Sequence, residues 1–124
     1  MRSPTARTKR FLESQGVLVE VVEKWIPCTA EGYKGRIIRK DVFDCIDLLC
    51  VHGQKLLAIQ SCAGASHATR LSKAMASDKI KRYLGTGSLF EVWSWSKRGP
   101  RGKRKVWMPR VTQLTARDGQ VVQV

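Results

Sequence analysis

Two polar side chains stand where a buried strand is normally apolar: Asp47 within CIDLLCV and Gln60 within LLAIQSC. The apolar runs that carry them, 43–51 and 55–62, are joined by His52-Gly53-Gln54, short enough to pair them as an antiparallel hairpin with Asp47 and Gln60 on neighbouring strands. A carboxylate inside such a run is costly unless it is paired or bound to a cation. Oxygen ligands projecting from adjacent strands at one end of a sheet suit Mg²⁺ or Mn²⁺, which takes a few carboxylates and leaves other positions to water and substrate phosphate. Asp47 anchors this set. Glu23, two residues before Trp25 near the end of an earlier strand, is the second candidate. Asp41 precedes Asp47 by an even number of residues, so in a regular strand both face one side, whereas Asp44 looks away. The competing reading pairs Asp47 with Arg39 or Lys40 and leaves Gln60 to satisfy a backbone group.

The elements that must position these groups follow from local signals. Ser3-Pro4 is a helix start and Gly16 a stop, which predicts a helix over 4–15 exposing Arg7, Lys9 and Arg10 and turning Phe11 and Leu12 inward. The β-branched run 17–25 predicts a strand that Pro27 ends. After the Asp47/Gln60 hairpin, AGASH leads into a helix with Ala68, Leu71 and Met75 at core spacing and with Arg70 and Lys73 on an adjoining face. Ser77-Asp78 begins a second short helix with Ile80 and Leu84 inward. Residues 89–96 alternate as a strand, and 106–111 can return antiparallel to it. Beyond Thr115 the chain reads as a tail or an edge strand. The expected order is α, β, β, β, α, α, β, β: a three-strand meander, a crossover helix and further strands in a mixed sheet flanked by helices, with 1–115 as one domain and 116–124 as a C-terminal tail.

Composition bounds what such a site acts upon. Twenty-three Lys and Arg against ten Asp and Glu leave a net charge of +13 on 124 residues, and a polyanion, nucleic acid first, is the expected partner. The connection KRGPRGKRK holds six cations, Lys97, Arg98, Arg101, Lys103, Arg104 and Lys105, with no acid, and its Gly-Pro and second Gly exclude helix. With Arg36, Arg39 and Lys40 in a second basic segment, it should neutralise phosphates flanking a substrate. Trp93, Trp95 and Trp107 flank the connection, as cross-strand packing or as a platform for an unpaired base. His67 reads as a helix-capping or solvent-facing residue, or as a general base near Gln60. The cysteines at 28, 45, 50 and 62 read as reduced thiols, a zinc set of Cys28, Cys45 and His52 being the alternative. No apolar run approaches membrane-span length and the N-terminus lacks a signal-peptide core, which predicts a cytoplasmic protein.

The helix, the strand ending in Glu23, IDLL bearing Asp47, AIQSC bearing Gln60 and the Arg/Lys-bearing helix together resemble the PD-(D/E)XK nuclease core. More narrowly, RKDVFDCIDLL, LLAIQSC and VWSWSKRGPRGKRKVW resemble small phage and prophage proteins grouped with Holliday junction resolvase-like nucleases, over roughly residues 5 to 110. The resemblance implies a restriction-endonuclease-like α/β core and Mg²⁺-dependent cutting of branched or duplex DNA. It also implies a homodimer, in the host cytoplasm if phage-encoded. In it Asp47 matches the motif Asp, Glu23 the acid contributed before the hairpin, and Gln60 stands where Glu is usual. Cys62 occupies the usual Lys position, and that Lys offsets charge on the transition state. Arg70 or Lys73, on the following helix, are the cations that could take over that role. The alternative is a nucleic-acid-binding module that kept the fold without the chemistry.

Overall fold

The computed structural model describes residues 3–27 and 37–124, and within 24–27 and 37–40 it describes the backbone alone. Helix α1, Pro4–Ser14, starts as the residues predict: Ser3 Oγ accepts from Ala6 N at 3.1 Å, and Gly16 at φ +80° turns the chain away. Among the described residues eight strands follow: β1 Leu18–Val21, β2 Lys24–Pro27, β3 Ile37–Lys40, β4 Leu48–His52, β5 Lys55–Ala63, β6 Leu89–Arg98, β7 Val106–Arg117 and β8 Gln120–Gln123. Helices α2, His67–Ala76, and α3, Asp78–Leu84, lie between β5 and β6. Ser77 caps α3 by accepting from Ile80 N.

Six strands form one mixed sheet in the order β1-β4-β5-β6-β7-β8. The expected meander is β1-β4-β5, antiparallel throughout, with Leu18 opposite Val51 and Leu48 opposite Ile59. The two helices then carry the chain across to β6, which lies parallel to β5 with Ser61 opposite Trp93. Antiparallel β7 and β8 complete the sheet. The fold is therefore α/β with a mixed sheet flanked by helices.

Period-two alternation divides the core between the two faces. Leu48, Cys50, Leu57, Ile59, Trp93 and Trp95 turn to the α1 face and pack with Leu12 and Val19. Ala58, Cys62, Phe90, Val92 and Leu114 turn to the other face, beneath Ala74, Ile80 and Leu84 of α2 and α3. Thr8 fixes α1 to the sheet. It is fully buried, and its Oγ1 donates to Pro4 O at 3.0 Å while accepting from Ser61 Oγ at 2.9 Å and Trp95 Nε1 at 2.8 Å.

Several elements depart from the sequence reading. The run 17–25 is not one strand: Val22 N and Glu23 N both donate to Asp47 O, at 2.9 and 3.4 Å, and the chain leaves the sheet there. Beyond that point β2 pairs with β3 in a separate two-stranded ribbon. Nor is 43–51 continuous strand. Val42 and Ile46 exchange two backbone hydrogen bonds around a tight turn in which Phe43 and Asp44 have φ of 52° and 64°. The boundary placed at 115 falls inside β7, and the terminal residues include the edge strand β8, reached through a turn with Asp118 and Gly119 both at positive φ, as two-residue hairpins prefer. Strand β6 also runs further than 96, so Lys97 and Arg98 are strand residues and the connecting loop is 99–105. Among the described residues no helix is long and apolar enough to cross a membrane.

Candidate functional site

The β4/β5 ladder ends at Leu48 opposite Ile59, and Asp47 stands one step beyond it, alongside Gln60 on the face opposite α1. Asp47 is fully buried, and its Oδ2 accepts from Ser61 N at 2.8 Å, so the carboxylate takes up an amide that the strand no longer pairs. Its own carbonyl holds Val22 and Glu23, which brings the Glu23 side chain to the same place. The turn at 42–46 folds Asp41 back as well. Carboxylate oxygens of Glu23, Asp41 and Asp47 all lie within 4.8 Å of one another, Asp47 buried and the other two half-buried. Asp41 thus converges on Asp47 through a turn, not through the parity of a regular strand as expected. Asp44, read as looking away, does so: its carboxylate pairs with Lys79 at 3.0 Å on the surface.

Gln60 is 2% exposed, and its Oε1 has no hydrogen-bond donor among the described residues. A buried carbonyl oxygen of this kind is costly unless something positive meets it. The reading in which Gln60 satisfies a backbone group through Oε1 is not what the described residues present. Beside the acids opens a cleft of about 430 Å³ lined by Glu23, Ser61, Cys62 and Arg70, together with Ser66 and the first turn of α1. Burial pushes the Cys62 thiol above its ordinary value, with Arg70 opposing the rise and Asp47 adding to it, so Cys62 is a neutral group in the cleft wall. Of the two candidate cations, Arg70 reaches this cleft. Lys73 instead donates to Asp44 O at 3.2 Å, where it braces the 42–46 turn.

The zinc alternative finds no support among the described residues: Cys45 is buried, with its thiol raised chiefly by burial, and His52 is exposed at the hairpin end. Cys28 lies outside the described residues, as does Arg36. Arg39, Lys40 and Trp25 are described only as backbone in β3 and β2, Lys40 opposite Lys24 and Arg39 opposite Trp25. His67 is not exposed, and its side chain is engaged with the sheet and not with a helix end. It is buried between Ser94 Oγ, 2.6 Å from Nδ1, and Thr112 Oγ1, 2.9 Å from Nε2, and its pKa is lowered by burial first and then by Arg110 and Arg98. A helix-start position in a polar segment gave no hint of that burial, and the structural roles of Thr8 and Ser61 likewise carry no sequence signal.

Lys97, Arg98, Arg101, Lys103, Arg104 and Lys105 are all exposed at the far end of the β6/β7 hairpin. Lys97 shares the α1 face with Trp107, its cross-strand partner, and Arg98 the opposite face. Because β6 runs parallel to β5 with Trp95 opposite Ala63, this end of the hairpin projects past the same end of the sheet at which the acids and the cleft lie. Comparison with protein-family models, with curated proteins and with solved structures finds no match to this chain.

Proposed function

We propose that the protein is a metal-dependent endonuclease that hydrolyses DNA phosphodiester bonds, structure-selective or nonspecific, on a PD-(D/E)XK-like core of the Holliday junction resolvase type. The reading is carried by one observation: three carboxylates converge within 4.8 Å, and one of them, Asp47, lies one step past the ladder end, across from Gln60, whose buried oxygen has no described donor. That donor set, all oxygen and mostly anionic, fits Mg²⁺ or Mn²⁺. Asp47, Glu23, Asp41 and Gln60 would hold the ion. When bound, it supplies Lewis acidity, lowering the pKa of a water and neutralising charge on the scissile phosphate.

The chain's own residues do the rest. Ser61 N holds the Asp47 carboxylate in one orientation. Arg70, in the cleft next to the acids, receives a phosphate oxygen and offsets the charge that grows there during in-line displacement. Cys62 stands where the resemblance puts a lysine, and as a neutral thiol it contributes only shape, so the cationic role passes to Arg70. The hairpin cations bind flanking phosphates, which position a substrate without reading its sequence. Cutting in pairs across a junction would require a homodimer.

The test is cleavage of supercoiled plasmid, linear duplex, flap and four-way-junction DNA with Mg²⁺, Mn²⁺ or chelator. Metal-dependent cutting is expected in wild type, abolished in Asp47→Asn and reduced roughly a hundredfold or more in Arg70→Gln. The neutral Cys62 favours a second reading, a nucleic-acid-binding module on the same fold. Binding without cutting under every condition would establish that module and overturn the nuclease.

A further inference from the structure

The three tryptophans of the β6/β7 hairpin have different surroundings. Trp93 and Trp95 are buried under α1, with ring centroids 5.7 and 6.0 Å from Phe11, and their indole N–H groups donate to Glu91 and Thr8. Trp107 is 42% exposed and lies among cations: the Arg7 guanidinium is 3.8 Å from its ring centroid and Lys97 Nζ 5.6 Å. The adjoining loop 99–105 adds four more cations and no acid. A large aromatic surface beside several cations that pair with no acid among the described residues is a poor seat for an apolar protein partner, which would have to desolvate those charges. It suits a ligand with a flat π-face and flanking anions.

We infer that Trp107, with Arg7 and Lys97, is a stacking site for an unpaired nucleobase whose neighbouring phosphates run along the 99–105 loop. The base exchanges places with the Arg7 guanidinium on the indole face, and the freed cation meets the adjacent phosphate. A base within a duplex is already stacked on both sides and cannot enter, so the site selects single-stranded segments, as at a flap or a junction. Binding here does not rest on the nuclease reading, since none of these residues belongs to the acidic cluster. If that reading holds, the position of the hairpin at the cleft end of the sheet makes Trp107 the element that recognises the branch.

Fluorescence anisotropy tests this with labelled oligothymidylate, oligouridylate, an abasic strand of equal length and a blunt duplex, all in chelator. Trp107→Leu is expected to weaken both intact single strands roughly tenfold, to leave the abasic strand and the duplex unchanged, and to be largely rescued by Trp107→Phe. Because every measurement is made in chelator, it reads binding alone, which separates loss of stacking from loss of cutting. An equal effect of Trp107→Leu on abasic and intact strands, or no effect on either, would overturn the assignment; thermal unfolding verifies that the exposed substitution leaves the fold intact.

Discussion

Asp47 anchors its surroundings through two groups: its carboxylate Oδ2 accepts from Ser61 N, and its backbone carbonyl accepts from Val22 N and Glu23 N, which holds a second acid beside it against the repulsion of like charges. Gln60, its neighbour, differs because its buried oxygen has no donor among the described residues. His67 shows the contrasting case, a buried polar side chain whose two nitrogens both meet hydroxyls. Its lowered pKa has a definite sign. The unfolded chain takes up a proton at this residue before the folded chain does, so the stability it contributes is whole above its ordinary value of 6.5 and is lost as pH falls toward the lower folded value. The melting temperature should therefore drop as pH falls below about 6.5. In His67→Gln that drop should be flatter, with lower stability at neutral pH because one amide cannot reproduce both hydroxyl contacts; an unchanged slope would assign the pH dependence to other groups.

At the level of elements, the cationic hairpin is where sequence and structure agree most simply. A Gly-Pro-rich run of cations cannot be helix, and it forms the exposed end between two long strands. If these cations meet phosphates, replacing Arg101, Lys103 and Arg104 by Ser should lower the slope of log affinity for duplex DNA against log salt by about 2 to 3, each contact accounting for about 0.9. An unaltered slope would move the DNA-binding surface elsewhere. The helices and the β4/β5 hairpin were likewise legible, since caps, glycines and alternation are local. The breaks at Val22-Glu23 and at 42–46 were not. The first depends on Asp47 O, a partner 24 to 25 residues away whose backbone role has no sequence period. The second places Phe43 at positive φ, a conformation its side chain disfavours and only the surrounding structure imposes. Asp41 therefore reached the candidate site by a route that strand parity could not supply, and Arg70 was separated from Lys73 only by seeing which of them the 42–46 turn engages.

Across the whole molecule the charge is unevenly spent. Of ten acidic residues in a chain of net charge +13, three converge on one point at the end of the sheet past which the basic hairpin projects. In the proposed reading, such an arrangement would hold a polyanion by its flanks and a hard cation in a small negative pocket at the centre. The pocket itself is open to direct measurement. Calorimetric titration of Mn²⁺ into the metal-free protein, with no DNA present, should show stoichiometric binding in wild type and none in Asp47→Asn; identical heats in both proteins, or no binding in either, would contradict the metal site.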